Sequence, residues 1–239
     1  MKMEAHYCSD NNSKPALQPF FSVIIATYNR AHILNRALES LIAQTENDWE
    51  AIIVDDESTD NTFFKILPYL SSNPQIRYLR KVHSGEPLSK NAGIKSSAGK
   101  FITFLDSDDE YNPIHLQSRK AILIQNPGIR FLHGGARIIG NQYVPDRFDY
   151  KKRINLNECV IGGTFVIEKS VLFQLSGFRQ IVLGTDADLF DRIVDAGIPV
   201  NETKIPTYIY HHENEDSITN MLLKNKVEVH GMYSDINSK

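Results

Sequence analysis

The stretches Asp55-Asp56-Glu57-Ser58 and Asp106-Ser107-Asp108-Asp109 are the parts of this sequence best suited to chemistry. Carboxylates crowded together repel, and left alone some would take up protons. A divalent cation relieves the repulsion, and oxygen donors suit Mg²⁺ or Mn²⁺. Such an ion needs few protein ligands when a diphosphate supplies the rest, so the pattern describes a nucleotide-diphosphate site. A third polar cluster, Thr27-Tyr28-Asn29-Arg30, accompanies the acidic ones. Asp at such places also serves as a turn former or helix N-cap, and for one cluster alone that reading is the better one. Two acidic clusters, each directly after an apolar run, favour the cation.

The elements that must position these clusters follow a rhythm. Phe21 to Ala26 is a short apolar run rich in β-branched residues and reads as a buried strand. Ile33, Leu34, Ala37, Leu38, Leu41 and Ile42 follow at helical spacing. Strands are expected at Ala51 to Val54, Ile76 to Val82 and Phe101 to Leu105, with helices at Asn61 to Leu70 and 86–97 between them. Alternating strands and helices imply right-handed βαβ units with helices on both faces of a parallel sheet. In such a sheet ligands bind beyond the carboxyl ends of the strands, where all three polar clusters fall. Beyond Asp109 the rhythm loosens. A helix is expected at Ile114 to Gln125 and two strands over 129–150 around Gly140-Asn141. A strand containing Gly162-Gly163 is expected at Val160 to Ile167, an amphipathic helix at Asp186 to Ala196, and a strand at Ile205 to His212. Residues 1–18 read as a flexible lead-in and 221–239 as a helix and polar tail. The domain then runs over 19–220, with a ligand-binding half at 19–110 and a second half at 111–220.

Composition narrows the class. Apolar residues at 41% and charged residues at 23% suit a soluble globular domain. A formal net charge of -3 gives no basic face for nucleic acid. The two cysteines, Cys8 and Cys159, make neither a disulfide scaffold nor a zinc motif. A reducing, cytoplasmic setting fits. No apolar run approaches the ~20 residues that span a bilayer, which leaves peripheral attachment at the inner membrane face compatible. No G-x-G-x-x-G follows the first strand, which argues against a dinucleotide dehydrogenase.

SVIIATYNR, VDDESTDNT and SKNAGIKSSAGKFITFLDSDD, in this order and spacing, resemble the family 2 glycosyltransferases of the GT-A fold. The resemblance is specific over residues 21–109 and weaker to about residue 219. It implies an α/β protein with a Rossmann-like, mostly parallel sheet and a smaller mixed acceptor-side subdomain. It implies inverting transfer from a nucleotide-sugar, expected as a UDP-sugar, to a saccharide or lipid-linked acceptor, with surface polysaccharide as the setting. Residue by residue, the resemblance places Ala26, Tyr28, Asp56, Lys90 and Asp106 at the nucleotide. Tyr28 would stack on the base and Asp56 would accept a base N–H. Asp108 would hold Mn²⁺ or Mg²⁺, and His212 would approach the metal or diphosphate. Asp186 matches the general base of the family's Glu-Asp motif, and Gly162 and Gly163 would let the acceptor come close.

Each of these positions also has a plainer reading: a solvated helix lysine at 90, a helix-start acid at 186, a surface pair at His211-His212, a bulge at the glycines. Three departures from the pattern stand out. Glu57 replaces the usual Gly after Asp-Asp, Thr185 replaces the Glu, and Tyr210 stands where Arg is usual. No Gln-x-x-Arg-Trp occurs and Trp49 is the only tryptophan, which points to single-sugar addition. A nucleotidyltransferase would need a Gly-rich loop after the first strand, and Tyr28-Asn29-Arg30 is not one. An inactive sugar-nucleotide-binding protein of the same fold remains the alternative.

Overall fold

Apolar side chains on both faces of Phe21–Thr27 need cover on both sides, and the computed structural model supplies it. The structure describes residues 18–149, 152–181 and 183–213. The first half runs β1 (Phe21–Thr27), α1 (Leu34–Ile42), β2 (Trp49–Asp55), α2 (Thr62–Ser72), β3 (Ile76–Arg80), α3 (Glu86–Ser96) and β4 (Phe101–Phe104). The second half continues with β5 (Glu110–Tyr111), α4 (His115–Gln125), β6 (Phe131–His133), β7 (Ala136–Gly140), β8 (Tyr143–Pro145) and β9 (Arg153–Asn155). It ends with β10 (Val166–Glu168), α5 (Lys169–Gln174), α6 (Thr185–Asp195), β11 (Asn201–Glu202) and β12 (Tyr208–His212).

The main sheet has seven strands in the order β11-β6-β10-β4-β1-β2-β3. It is parallel except for β10, which runs antiparallel to both β4 and β6. Val23 and Ile25 of β1 face Leu34, Leu38 and Leu41 of α1, while Ile24 belongs to a second core with Ile94, Leu189 and Ile193. Those alternating directions along one strand put α1 on one face and α3 with α6 on the other. Gly93 lets α3 sit close: a Cβ there would come 2.5 Å from Ile24 Cγ2. A second sheet, β5-β12-β7, stands beyond the carboxyl end of β4, and β8 pairs only with β9.

The expected helices and the long strands recur within a few residues of their predicted bounds. Two expectations are corrected. The strand expected at Val160 to Ile167 is a 3₁₀ turn at Gly162–Thr164 followed by the short β10. The chain leaves the ladder because Asp186 takes the Gly162 N–H and the Thr164 hydroxyl donates to Ile161 O. The strands flanking Gly140-Asn141 are not partners of one another. Gly140 has φ 93°, and beyond it β7 is held by β12 and β8 by β9. The lead-in over residues 1–17 and the tail over 221–239 lie outside the described residues.

Candidate active site

The carboxyl end of β4, the start of α3 and the start of α6 meet around Lys90. Lys90, on α3, is 2% exposed. Its Nζ lies 2.5 Å from Glu86 Oε1 and 3.1 Å from Asp106 Oδ1, with the Phe104 and Phe178 rings at 5.7 and 5.5 Å. Burial works against its charge, but Asp106, Glu86 and Asp186 outweigh burial and hold the amine well above the ordinary lysine range. Lys90 is therefore a buried ammonium and not a solvated helix residue.

Asp186 stands in the first turn of α6, with Gly184 at the N-cap in a left-handed conformation. Its Oδ2 accepts the Gly162 N–H at 3.0 Å, while its Oδ1 is enclosed without a partner. Burial pushes this carboxyl up, the Lys90 charge pulls it down, Glu86 and Asp106 push it back, and the outcome is about 6. A helix N-terminus favours the anion, yet burial wins here. Asp188, by contrast, is occupied by Arg192 at 2.8 Å and Arg179 at 3.4 Å.

Asp108 is likewise raised to about 6, by burial first and the Asp106 charge second, with Arg30 opposing. The Arg36 guanidinium donates to its backbone carbonyl. Asp109, the last acid of the second cluster, is spent on structure. It is 1% exposed and accepts the Tyr208 hydroxyl at 2.6 Å and the His211 N–H at 2.7 Å. These bonds tie the end of β4 to β12.

The first acidic cluster is held by partners of its own. Asp55 accepts from Ser58 N and the Tyr78 hydroxyl. Asp56 is pulled below the usual carboxylate range despite burial, because Lys81, Gly85 and Ser84 all donate to it. His83 Nδ1 lies a further 2.9 Å from its Oδ2. Asp56 thus has its acceptor positions filled, and a base N–H can reach it only by displacing a partner. His83 is the exposed one of these. It also stacks on Tyr28, which is 42% exposed, at 4.2 Å between ring centroids. Sequence reasoning missed His83, although it stands just past β3, on the same sheet edge as the other polar clusters. Glu57 keeps the left-handed turn that Gly would favour, at φ 70°, and its carboxylate accepts the His83 N–H at 3.0 Å. Ala26 is the next-to-last residue of β1, opposite Val54.

Gly162 and Gly163 are needed by the protein's own packing. A Cβ on Gly162 would fall on the Asp186 carboxylate, and one on Gly163 would fall on the Tyr208 ring. Tyr210 lies among the acids: burial and then Asp109, Asp106, Asp108 and Asp186 push its hydroxyl up. A phenol there supplies no positive charge to a phosphate.

His212 is 1% exposed, and its Nδ1 lies 2.7 Å from Asn141 O. A carbonyl can only accept, so Nδ1 carries the proton. In the neutral ring Nε2 then holds a bare lone pair, and this atom is buried without a partner. Among the described residues no three His, Cys, Asp or Glu side chains form a ready cation cage. The Asp108 carboxylate and the bare Nε2 of His212 are each of a donor type that a divalent ion accepts.

A mostly parallel α/β sheet with an acid cluster at its carboxyl edge and a small mixed sheet beside it is the GT-A class. The sequence matches Glycosyl transferase family 2 over residues 22–157, and the chain belongs to that family. It is 32% identical over 157 residues to the Escherichia coli UDP-Glc:alpha-D-GlcNAc-diphosphoundecaprenol beta-1,3-glucosyltransferase WfgD, covering 63% of this chain and 61% of that protein. Among solved structures, S. aureus TarS 1–349 in complex with UDP-GlcNAc aligns with TM-score 0.68 at 21% identity, over 83% of this chain and 60% of that one. The Pyrobaculum calidifontis mannosyltransferase PcManGT with GDP-Man and Mn²⁺ aligns with TM-score 0.65 at 18% identity, over 84% and 59%. The chain thus spans about three fifths of each of these relatives' length. No helix among the described residues is long and apolar enough to cross a membrane.

Proposed function

We propose that the chain is an inverting glycosyltransferase that moves a sugar from a UDP-sugar to a saccharide or lipid-linked acceptor, with Asp186 as general base. The observation that carries this reading is the Asp186 carboxylate itself. One oxygen is oriented by Gly162, the other is enclosed and unpartnered, and the group titrates near 6 beside Lys90. A base poised just below neutral pH is ionised in use yet keeps useful basicity. The acceptor hydroxyl attacks the anomeric carbon from the face opposite the diphosphate. Its proton passes to the free oxygen of Asp186. The new C–O bond forms as the old one breaks, and the leaving nucleoside diphosphate carries away the electron pair. One displacement inverts the centre, with no covalent enzyme intermediate.

Around that step, Tyr28 offers a face for the base, and Asp56 receives it as His83 swings out. Lys90 holds Asp106 toward the ribose. Mn²⁺ or Mg²⁺, held by Asp108 and His212, would neutralise charge on the phosphoryl oxygens. Gly162 and Gly163, beside Asp186, border the acceptor's approach. WfgD's name specifies UDP-glucose and a diphosphoundecaprenol-linked acceptor, which supports a lipid-linked acceptor, surface polysaccharide and a peripheral place at the inner membrane face. The mannosyltransferase neighbour with Mn²⁺ supports the ion. Asp186→Asn is expected to abolish transfer while calorimetric UDP affinity in Mn²⁺ stays unchanged. A variant with full turnover would remove Asp186 from the role. Asp108→Ala is expected to weaken Mn²⁺-dependent UDP binding at least tenfold, and unchanged affinity would take Asp108 out of the metal site.

A further inference from the structure

Glu86 has no task in the proposed chemistry, yet the fold holds it where a nucleotide-sugar has to pass. It is the first residue of α3, after Gly85 at the N-cap. The Gly85 N–H donates to Asp56 Oδ2 at 2.7 Å, so α3 begins against the acid assigned to the base. One turn further on, Lys90 Nζ lies 2.5 Å from Glu86 Oε1 and 3.1 Å from Asp106 Oδ1. Glu86 also stands close enough to Asp108 and Asp186 for its charge to push both of their carboxyls up. A ligand that reaches from Asp56 to Asp186 therefore runs past the Glu86 carboxylate.

That carboxylate is open on one side. The Glu86 side chain is 31% exposed, and among the described residues Lys90 is the one cation paired with it. An ionised carboxylate can only accept hydrogen bonds. It cannot receive the diphosphate, which is itself an acceptor and an anion. In the proposed transferase Asp56 takes the base N–H and Asp106 faces the ribose. What remains of a nucleotide-sugar is the hydroxyl groups of the sugar itself.

We propose that Glu86 accepts a hydroxyl of the transferred sugar and confines the donor to uncharged sugars. This rests on the transferase reading and narrows its donor. The charge balance argues for the second half of it. Asp106, Glu86 and Asp186 already act on one ammonium, that of Lys90. A sugar bearing its own carboxylate would bring a fourth anion to a cation shared by three, in a partly buried place where like charges are poorly screened. A neutral sugar brings only hydroxyl donors, which is what an open carboxylate lacks.

The test is calorimetry on the full chain with Mn²⁺, titrating UDP, UDP-glucose, UDP-galactose, UDP-N-acetylglucosamine and UDP-glucuronate. The wild type binds at least one neutral UDP-sugar, and binds UDP-glucuronate at least about tenfold more weakly than that sugar. Glu86→Gln keeps the side-chain shape and leaves Lys90 with Asp106. It loses roughly tenfold in affinity for the preferred neutral sugar, keeps the wild-type affinity for UDP, and narrows the gap to UDP-glucuronate to within about threefold. Wild-type binding of UDP-glucuronate as tight as that of the neutral sugars overturns the proposal, and this comparison needs no variant. So does an equal loss for UDP and UDP-sugar in Glu86→Gln, which would put Glu86 on the ribose or reduce it to an anchor for Lys90. A wild type that binds UDP but no neutral UDP-sugar overturns it too. A wild type that does not bind even UDP is a different failure: it removes the transferase reading first, and this inference with it.

Discussion

Asp186→Asn is expected to do two things at once: abolish transfer and remove a pH dependence from stability. The Asp186 carboxyl stands at about 6 in the fold against an ordinary 3.8. A folded value above the unfolded one means that the fold holds the proton more tightly. The group's contribution is therefore most favourable below pH 4 and is lost as pH rises through about 6. A shift of this size costs about 3 kcal/mol at neutral pH. Asparagine removes the titration. It also leaves an NH₂ in the enclosed space now held by Oδ1, at a cost of about 1–3 kcal/mol that does not change with pH. The absolute stability difference at pH 7 is therefore small, but its change between pH 4 and pH 7 is about 2.4 kcal/mol in favour of the variant. In a chain of this size that corresponds to roughly 5–10 °C of relative melting temperature. Melting curves with a chelator present, taken at half-unit steps of pH, read this directly. Parallel wild-type and variant curves across that window would refute the argument that Asp186 is a buried, disfavoured anion, and with it the physical basis for its role as base.

Three other expectations follow from the same contacts. Lys90→Met leaves Glu86, Asp106 and Asp186 without their shared cation, so it should lower stability by about 3 kcal/mol and move the acid limb of kcat/KM upward. Lys90→Arg should restore the limb, and a limb that stays in place in the methionine variant would reduce Lys90 to packing. Gly163→Ala drives a methyl into the Tyr208 ring and should cost about 1–3 kcal/mol in urea denaturation, because Tyr208 cannot retreat without releasing Asp109; a neutral result would mean the turn is looser than described. His83→Ala frees the Tyr28 face and one side of Asp56, so calorimetry should show UDP binding severalfold tighter, whereas weaker binding would mean that the imidazole is half of the base sandwich and not its competitor.

What could be read from the sequence was what depends on local pattern. β1, β2 and β4 are covered on both faces, so they appear as unbroken apolar runs, and Leu189 and Ile193 mark the buried side of α6 by spacing alone. What could not be read depends on partners far along the chain. Gly162-Gly163 has the same local signal whether it bends a strand or ends one; the choice was made by Asp186, 24 residues later. Glu86 and Lys90 look like an ordinary exposed i,i+4 pair, and only Asp106 arriving from β4 turns Lys90 into a buried ion. Asp109 has the composition of a metal ligand and is instead claimed by β12. β5, β9 and β11 have two or three residues each, too few to show any period.

The site's chemistry follows from an imbalance that the fold itself maintains. Glu86, Asp106, Asp108, Asp109 and Asp186 are gathered where Lys90 and Arg30 are the cations that offset them. Burial, then the Asp108 and Asp106 charges, push Asp109 well above the carboxylate range. Asp108 and Asp186 are left near 6, so they are ionised at neutral pH but at a cost. Natural proteins hold such unfavourable charge at functional positions and offset it elsewhere, here with the two fully packed cores on either side of β1. An acid meant only for structure would be paired to completion, as Asp55 is. The unpartnered Oδ1 of Asp186 and the unpartnered Nε2 of His212 are where this cluster is left incomplete, and they are the atoms to which the proposed function assigns the acceptor proton and the cation.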